Sequence, residues 1–474
     1  MTLTNLASAT PTMPRMERLL DGFEPDFEFR PVPPLPEGEF ADRLRRIRQE
    51  ASAAGHDILL VHADSIGSYK ASNSYLRYIC DWAREGMLLI PTDTDLPLAL
   101  YTIFASSVLL PPAGEPVLVD DIWQVGTWGR ETYNRPGRGL DRVVDATAKH
   151  LDRLGLSKAQ VGLIGDATSA PYWAGLKTVL PGCRFEMAHG IVNRMQRRRS
   201  KGEQAIVRAA AQLACIGMQA AYHVIRPGVT DHEIYAAFTF AQMARGGETG
   251  DGYQIGINPY GTHCGKPYGH VVREGDIINL YISAVQYHGY TAQIARMIAV
   301  GDITEEQEDV LAMCTEGVEA AAARVKPGTL ISDVANASFE PYIRRGYLTD
   351  ADSRSMPYNW SAGDDGAPLL VPQQNVPDPD WEAMGRSLNH VWPATKGPHN
   401  PNVGHSVSLP KMPPYNIQSN NHDALEEGMT FVLHSQWLDP LTAGANIGDC
   451  YLVTETGAEN LSCHVPLGVH RVPA

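Results

Sequence analysis

The sequence predicts an α/β N-terminal domain followed by a larger α+β C-terminal domain. Strands alternate with helices up to about residue 190, which is the pattern of an α/β domain. After that point a helix–Pro-Gly–helix pattern occurs twice, and a β-rich region follows each copy. A chain of 474 residues is long enough for two domains with their own cores.

The N-terminal part is predicted to consist of an arm and a domain. Residues 1–40 are rich in proline and are predicted to form an extended arm that lies on the body or on a partner subunit. Residues 41–195 form the predicted α/β domain. Its elements are a helix over 41–54, buried strands over 56–63, 87–91, 97–104 and 160–166, and a helix around 140–154.

The C-terminal domain is predicted over residues 196–474. Its first long helix ends at Pro227-Gly228, and Thr230 with Glu233 then forms a capping box for the next helix. Pro327-Gly328 ends the first helix of the second copy. This duplication predicts two similar halves that face each other across a site. Residues 350–403 are irregular and rich in Pro, Asn and aromatic residues, which predicts a long loop or lid.

Composition and charge exclude several classes of function. The net charge of −15 argues against a nucleic-acid partner, which requires a basic patch. The seven cysteines form no CxxC pair, which is typical of a reducing, cytoplasmic setting. No secretory signal and no apolar segment long enough for a membrane span is found in the sequence. The expected partner is therefore a small-molecule substrate.

The segment GDIINLYISAVQYHGYTAQIAR (275–296) predicts two strands joined by a Gly-Tyr turn. Because side chains alternate along a strand, polar residues fall on a shared face of this ribbon. The members of that face are Asn279, Tyr281 and Ser283 on the first strand, and Thr291, Gln293 and Ala295 on the second. This face is predicted to line a cleft, although it contains no carboxylate.

This segment, together with the preceding GINPYGTHCGKPYGHVVRE, resembles the middle of creatinase. The segments GHSVSL, EEGMTFVLHSQ and GDCYLVTETGAENLS follow in the order of the later motifs of the pita-bread superfamily. That superfamily includes creatinase, aminopeptidase P, prolidase, methionine aminopeptidase and a metal-dependent dimethylsulfoniopropionate lyase. The resemblance covers roughly residues 197–470 and implies a pita-bread C-terminal domain. It is less specific for the reaction than for the fold.

The resemblance also shows where this chain departs from the metal-dependent members. They hold two metal ions with two Asp, one His and two Glu. The corresponding positions here are Tyr281, Gln293, His405, His434 and Gly448, the last of which is beside Asp449. Two neighbouring divalent cations require anionic oxygens, and none of the five positions provides one. A dinuclear site, and with it ordinary metallopeptidase activity, is therefore not expected.

Three histidines are the predicted catalytic residues. The resemblance places His263 at the position of the catalytic histidine of creatinase, and imidazole is suited to proton transfer near neutral pH. His405 and His434 are expected to converge with it. One interpretation is a metal-free pocket without a cofactor. The alternative is one Zn or Fe held by His405 and His434 with Gln293 or Asp449.

A second set of residues is predicted to bind the substrate. The predicted substrate-binding residues are Trp82, Arg84, Tyr281, Ser283, Gln293 and Trp360. Trp82 and Arg84 match the region of creatinase that reaches into the partner's active site, which implies a homodimer. Cys264 next to His263 is a less favoured candidate nucleophile.

The main hypothesis is a creatinase-like, metal-independent hydrolase that cleaves a C–N or related bond in a small molecule. Creatine itself is not the expected substrate, because a guanidinium would lack anionic partners here. One alternative is a lyase that performs β-elimination in the same pocket, and another is the mononuclear metal enzyme. A third is a non-enzymatic binding protein, against which the polar cleft and the retained histidines argue.

Overall fold

The computed structural model describes residues 13–62, 74–82, 86–102, 118–124, 138–165, 170–248, 253–261, 265–267, 269–348, 402–409, 415–439 and 442–474. The chain divides into two compact units. The larger unit comprises Met1–Val32, Arg198–Ser408 and Tyr415–Ala474; the smaller unit comprises Pro33–Arg197 and Leu409–Pro414. None of the described helices is both long and apolar enough to cross a membrane.

The smaller unit is built on a six-stranded mixed sheet. Its helices are α2 (Glu37–Ala53), α3 (Ser74–Cys80), α4 (Arg138–Arg153), α5 (Ala170–Val179) and α6 (His189–Met195). Its strands are β1 (Ile58–His62), β2 (Met87–Pro91), β3 (Ala99–Thr102), β4 (Asp121–Gln124), β5 (Gln160–Ile164) and β6 (Arg184–Met187). The strand order is β4-β3-β2-β1-β5-β6, and the central strands β1 and β2 are buried along their whole length. The α/β class predicted for this region is confirmed.

The larger unit is α+β, as predicted. Its helices are α1 (Met13–Leu19), α7 (Lys201–Val224), α8 (Asp231–Met243), α9 (Glu305–Ala323) and α10 (Ile331–Arg344). Its strands are β7 (Tyr253–Asn258), β8 (Ile277–Tyr287), β9 (Tyr290–Val300), β10 (Asn402–Ser406), β11 (Asn416–Gln418), β12 (Thr430–Trp437), β13 (Ala445–Val453), β14 (Ala458–Asn460) and β15 (Val469–Val472). The main sheet has the order β11-β10-β12-β13-β9-β8-β7.

The duplication seen in the sequence is present as two helix pairs. α7 packs on α8 and α9 packs on α10. Each pair is joined through a Pro-Gly in which the glycine has a positive φ, +89° at Gly228 and +87° at Gly328. The predicted capping box at Thr230 is confirmed, because its hydroxyl accepts from Glu233 N while the Glu233 carboxylate accepts from Thr230 N.

The β8–β9 hairpin turns one residue earlier than the sequence suggested. Tyr290 is the first residue of β9, so the two-residue loop is His288-Gly289 rather than Gly-Tyr. Both loop residues have positive φ, +47° and +80°, which suits the right-handed twist of the flanking strands. Farther along the hairpin, the register shifts between Ile282 and Val285, and this bulge inserts one residue into β8.

The described part of the predicted arm lies on the larger unit of its own chain. The Phe27 ring stacks on His464 with 3.7 Å between centroids, and Val32 O accepts a hydrogen bond of 3.0 Å from the Tyr287 hydroxyl. The arm is not extended throughout, because it contains α1 and because α2 already begins at Glu37.

Candidate active site

Four residues form a continuous row across four strands of the main sheet. Tyr281 on β8 is paired with Ala295 on β9, which is paired with Gly448 on β13, which is paired with His434 on β12. Directly paired residues point to the same face of a sheet. The two rings at the ends of the row approach each other to 6.2 Å between centroids. Ala295 and Gly448 therefore form a floor of small residues between an aromatic hydroxyl and an imidazole.

Gln293 and His405 lie on the same face, one row away. Gln293 precedes Ala295 by two positions on β9, and its Nε2 donates to the Tyr281 hydroxyl at 2.7 Å. His405 on β10 is paired with Val432, two positions before His434. The rings of His405 and His434 are 5.7 Å apart between centroids. The structure thus brings together four of the predicted residues, Tyr281, Gln293, His405 and His434.

The protonation state of His405 follows from its surroundings. Burial lowers the pKa of His405 below its ordinary value of 6.5, partly opposed by a hydrogen bond to the main chain. In that bond Nδ1–H donates to Ser406 O at 3.0 Å. His405 is therefore a neutral imidazole with its lone pair on Nε2, which can accept a proton or a hydrogen bond.

Asp449 does not join this group of residues. It lies on the opposite face of the sheet, fully buried, where one carboxylate oxygen accepts from Arg296 at 2.6 Å and the other from Asn460 at 2.9 Å. Burial alone lowers the pKa of Arg296, but attraction to Asp449 outweighs that effect and the pKa is raised. The position of Asp449 therefore does not support its predicted role as a ligand of a single Zn or Fe ion. Arg296 is likewise a structural residue and does not bind a substrate carboxylate.

Several predicted residues lie outside the described part of the chain. They are His263, Arg84 and Trp360, together with Cys264 and residues 350–401 of the lid predicted over 350–403, whose last two residues belong to β10. Ser283 continues the backbone of β8, but its side chain is not among those described. Trp82 follows α3 in the smaller unit, where its indole nitrogen lies close to Gly86. Their roles in catalysis or substrate binding stay predictions.

The residues present do not fit the pair of metal ions that the fold implies. Tyr281 and Gln293, at two ligand positions, are hydrogen-bonded to each other, and Gly448 has no side chain. Among the described residues there is no group of three His, Cys, Asp or Glu that could hold a metal ion. Two imidazoles alone fall short of the three protein ligands of a catalytic zinc site.

Asn446 was not predicted from the sequence, and Asn279 was placed on the cleft face without a role. Asn446 precedes Gly448 by two positions, is only 1% exposed, and its Oδ1 accepts from Gln436 Nε2 at 3.3 Å. Asn279 precedes Tyr281 by two positions and is equally buried. The period of two along β13 could have revealed Asn446, but only if the pairing of Gly448 with Ala295 had been known.

The fold and this site define the class of protein. Residues 205–455 match the metallopeptidase family M24, and this segment is more than half of the chain. The chain therefore belongs to family M24, the pita-bread superfamily, and at the level of class to the hydrolases. This confirms the resemblance drawn from the sequence.

Individual relatives agree with that assignment. An uncharacterized hydrolase/peptidase of Sinorhizobium fredii is 28% identical over 330 residues, which is 67% of this chain and 80% of the relative. A Xaa-Pro dipeptidase from Bacillus anthracis superimposes with a TM-score of 0.66 at 18% identity, covering 91% of this chain and 100% of the other. An X-Pro aminopeptidase from Thermotoga maritima gives a TM-score of 0.66 at 18% identity, with 90% and 99% covered. At these identities the structural likeness shows the fold alone.

Proposed function

We propose that the chain is a metal-free, creatinase-like hydrolase that cleaves a C–N or related bond in a small molecule by histidine-mediated acid–base catalysis. One observation supports this proposal above the others. Four positions that hold metal ligands in the family contribute Tyr, Gln and His side chains and no carboxylate to one face, and the fifth is Gly448. Both carboxylate oxygens of Asp449 are hydrogen-bonded on the other face. Chemistry at this site then depends on hydrogen bonds and proton transfer.

Each group has a defined part in the proposed reaction. The attacking water donates a hydrogen bond to Nε2 of His405, which orients its oxygen toward the substrate carbon. The Tyr281 hydroxyl accepts from Gln293 and can donate its own hydrogen to the substrate carbonyl oxygen, where negative charge develops. His434 faces Tyr281 from the far side of the floor and positions the substrate.

The proton balance assigns the remaining step to His263. As the water oxygen bonds to carbon, His263 takes a proton from the water. It then returns that proton to the departing nitrogen as the C–N bond breaks. The resemblance to creatinase supports this role, since His263 lies outside the described residues.

A dipeptidase activity, as the names of several relatives state for those proteins, is less well supported. A free dipeptide has a charged amino group and a charged carboxylate, and each needs an oppositely charged partner or a metal. The strands of the described site present neither on the face of Tyr281 and His434. The non-peptidase reaction is therefore preferred.

Metal content and one variant test the proposal. Purified protein is analysed by inductively coupled plasma mass spectrometry before and after dialysis against a chelator, and turnover is screened on small amides, ureas, amidino compounds and Xaa-Pro dipeptides. We expect far less than one equivalent of Zn or Fe, chelator-resistant turnover of a non-peptide, and loss of turnover in His263→Ala.

Two results would contradict the proposal. One equivalent of Zn or Fe that disappears in His434→Ala would establish the mononuclear alternative. Full turnover by His263→Ala would remove the assigned acid–base group. Oxygen-18 water distinguishes the lyase alternative, since the label enters the products of hydrolysis but not those of elimination.

Assembly and setting stay proposals as well. We expect a homodimer in a cytoplasmic setting, with no nucleic-acid or membrane partner. Sedimentation equilibrium of the full chain tests the dimer, and a monomer across the micromolar range would argue against it.

A further inference from the structure

Three buried amides surround the floor of small residues. Asn279, Gln293 and Asn446 are each only 1% exposed. Within the described residues, Oδ1 of Asn279, Oε1 of Gln293 and Nδ2 of Asn446 have no hydrogen-bond partner. A buried polar group without a partner costs about 1–3 kcal/mol, so three on one face of a sheet require an explanation.

The strand register places these amides around one spot. Gln293 lies two positions before Ala295 on β9, and Asn446 lies two positions before Gly448 on β13. Asn279 lies two positions before Tyr281, which is paired with Ala295. All three therefore point to the face of Tyr281 and His434, in the rows on either side of the floor. Position 448 itself does not accept a side chain without a shift of the strands, because a Cβ there would be 2.6 Å from Leu433 O.

The opposite ends of two amides are already held, which fixes what they present. Gln293 uses its Nε2 on Tyr281, so its carbonyl oxygen is the group left to accept. Asn446 uses its Oδ1 on Gln436, so its NH2 is the group left to donate. Together with Asn279 Oδ1, the three amides present two hydrogen-bond acceptors and one donor.

The described residues of this face also carry no carboxylate, ammonium or guanidinium group. Those on β8, β9, β10, β12 and β13 include no Asp, Glu, Lys or Arg. A cationic ligand would find no carboxylate there, and an anionic ligand would find no ammonium or guanidinium. An uncharged ligand with both N–H donors and a carbonyl acceptor matches the pattern.

We propose that this site recognises an uncharged amide or ureide, whose N–H groups donate to Asn279 and Gln293 and whose carbonyl oxygen accepts from both Asn446 and the Tyr281 hydroxyl. The inference rests on the proposed function, since it names the class of substrate for the same site. It separates this chain from enzymes that bind guanidinium cations or peptides with charged ends.

Three compounds with the same five-membered ring test the proposal. 2-Imidazolidinone is a cyclic urea with two N–H groups, 1,3-dimethyl-2-imidazolidinone lacks both, and 2-aminoimidazoline is the corresponding cyclic guanidinium. Binding to the full-length protein is measured by ligand-observed NMR titration in the presence of a chelator. We expect the unmethylated urea to bind at least about tenfold tighter than either of the others, because each lost or mismatched hydrogen bond costs that order of affinity.

Two variants sharpen the test. Asn446→Asp replaces the hydrogen-bond donor by an acceptor and should lower the affinity for 2-imidazolidinone by about tenfold. Gln293→Glu keeps the shape but adds a negative charge, and should shift the preference toward 2-aminoimidazoline by at least about tenfold. Gln49→Glu, an exposed change on α2, adds the same charge outside this face and should alter neither affinity. If Gln293→Glu does not fold, Asn446→Asp alone decides the test.

The outcomes are distinct from those of the proposed function. Equal or tighter binding of the guanidinium or the dimethyl urea would overturn the inference, and so would no binding by any probe. The titration requires no turnover and no metal. Binding of the urea without hydrolysis of any amide or urea would therefore break the proposed function while leaving the ligand class intact.

Discussion

Two sets of buried polar groups on the main sheet of the larger unit differ in how fully they are hydrogen-bonded. On one face, Arg296 is fully buried and all five of its N–H groups donate, to Asp449 and to the carbonyl oxygens of Pro466, Ala295, Gly448 and Val465. On the other face, Asn279, Gln293 and Asn446 are just as buried, yet each has an atom without a partner among the described residues. Both faces belong to the same strands, so burial alone does not explain the difference.

The Arg296–Asp449 pair and the three amides illustrate two kinds of buried polar group, those that stabilise the fold and those that are available to bind a ligand. A saturated buried pair holds the fold in place, and losing one partner leaves an uncompensated charge. A buried amide with an unpaired end lowers stability, and such groups are typical of sites where a ligand completes the hydrogen bonds. Substitutions in the two sets should therefore differ in their effect on the free energy of unfolding and on ligand binding.

Breaking the saturated pair should destabilise the fold most. Asp449→Asn leaves the Arg296 guanidinium buried without its anion, and the free energy of unfolding should fall by about 3–5 kcal/mol. Urea denaturation followed by circular dichroism measures the change. Glu308→Gln removes the half-exposed partner of Arg471 and should cost less than about 1 kcal/mol. Similar losses in both variants would contradict the structural role of the Arg296–Asp449 pair.

Filling the floor should cost less stability but remove binding. In Gly448→Ala the new Cβ would lie 2.6 Å from Leu433 O and 2.7 Å from His434 Cβ, so the strands must shift. We expect a loss of about 1–3 kcal/mol, as for overpacked cores, together with loss of cyclic-urea binding. Gly457→Ala is the matched control, because its Cβ would meet only Val325 O, at an ordinary 3.7 Å. Unchanged urea affinity in Gly448→Ala would place the ligand elsewhere.

Removing one of the three amides should barely affect stability. Gln293→Met deletes the bond to Tyr281 but also the unpaired carbonyl oxygen, and these effects largely cancel. The free energy of unfolding should change by less than about 1 kcal/mol, while cyclic-urea affinity falls by about tenfold. A loss of stability as large as that of Asp449→Asn would mean that Gln293 is structural.

The smallest effect on stability is expected from pH. Burial places the folded-state pKa of His405 below its ordinary 6.5. As pH falls, the unfolded chain therefore binds this proton first, and unfolding becomes easier. The stability from neutral His405 is complete above about pH 6.5 and is lost below that value.

Turnover should depend on pH in the same direction as the free energy of unfolding. It should be constant above about pH 6.5 and should fall at lower pH, where Nε2 of His405 is protonated. Chemical denaturation and rate profiles between pH 4 and 8 check both trends. His405→Asn should flatten the stability profile, whereas replacement of the exposed His422 by Asn should not. A stability that rises as the pH falls would contradict the assigned direction.

Much of this site could be predicted from local sequence pattern. Tyr281 and Gln293 were expected on a cleft face because side chains alternate along strands, and the structure joins them by a hydrogen bond. The motif order indicated the fold, and family M24 confirms it. His405 and His434 were expected to converge, and their rings do so.

Three features were predicted wrongly or were missed in the sequence. Asp449 is next to a ligand position in sequence, yet a one-residue step along a strand turns its side chain to the opposite face. The turn at His288-Gly289 depends on positive φ at both residues, which the Gly-Tyr pattern did not indicate. Asn446 gained a role only through the pairing of Gly448 with Ala295.

The two-domain organisation, the long helices and the capping box at Thr230 were predicted from the sequence, and the family resemblance implied that the metal-ligand positions carry no carboxylate. These follow from residue type, from periods of 3.6 and 2, and from the order of short motifs. The tertiary structure was needed to find which buried polar groups are hydrogen-bonded and which have an atom without a partner among the described residues. The partners of a buried polar side chain are set by strand register and packing: Asp449 lies 153 residues from Arg296 along the chain, yet their side chains are hydrogen-bonded in the folded sheet.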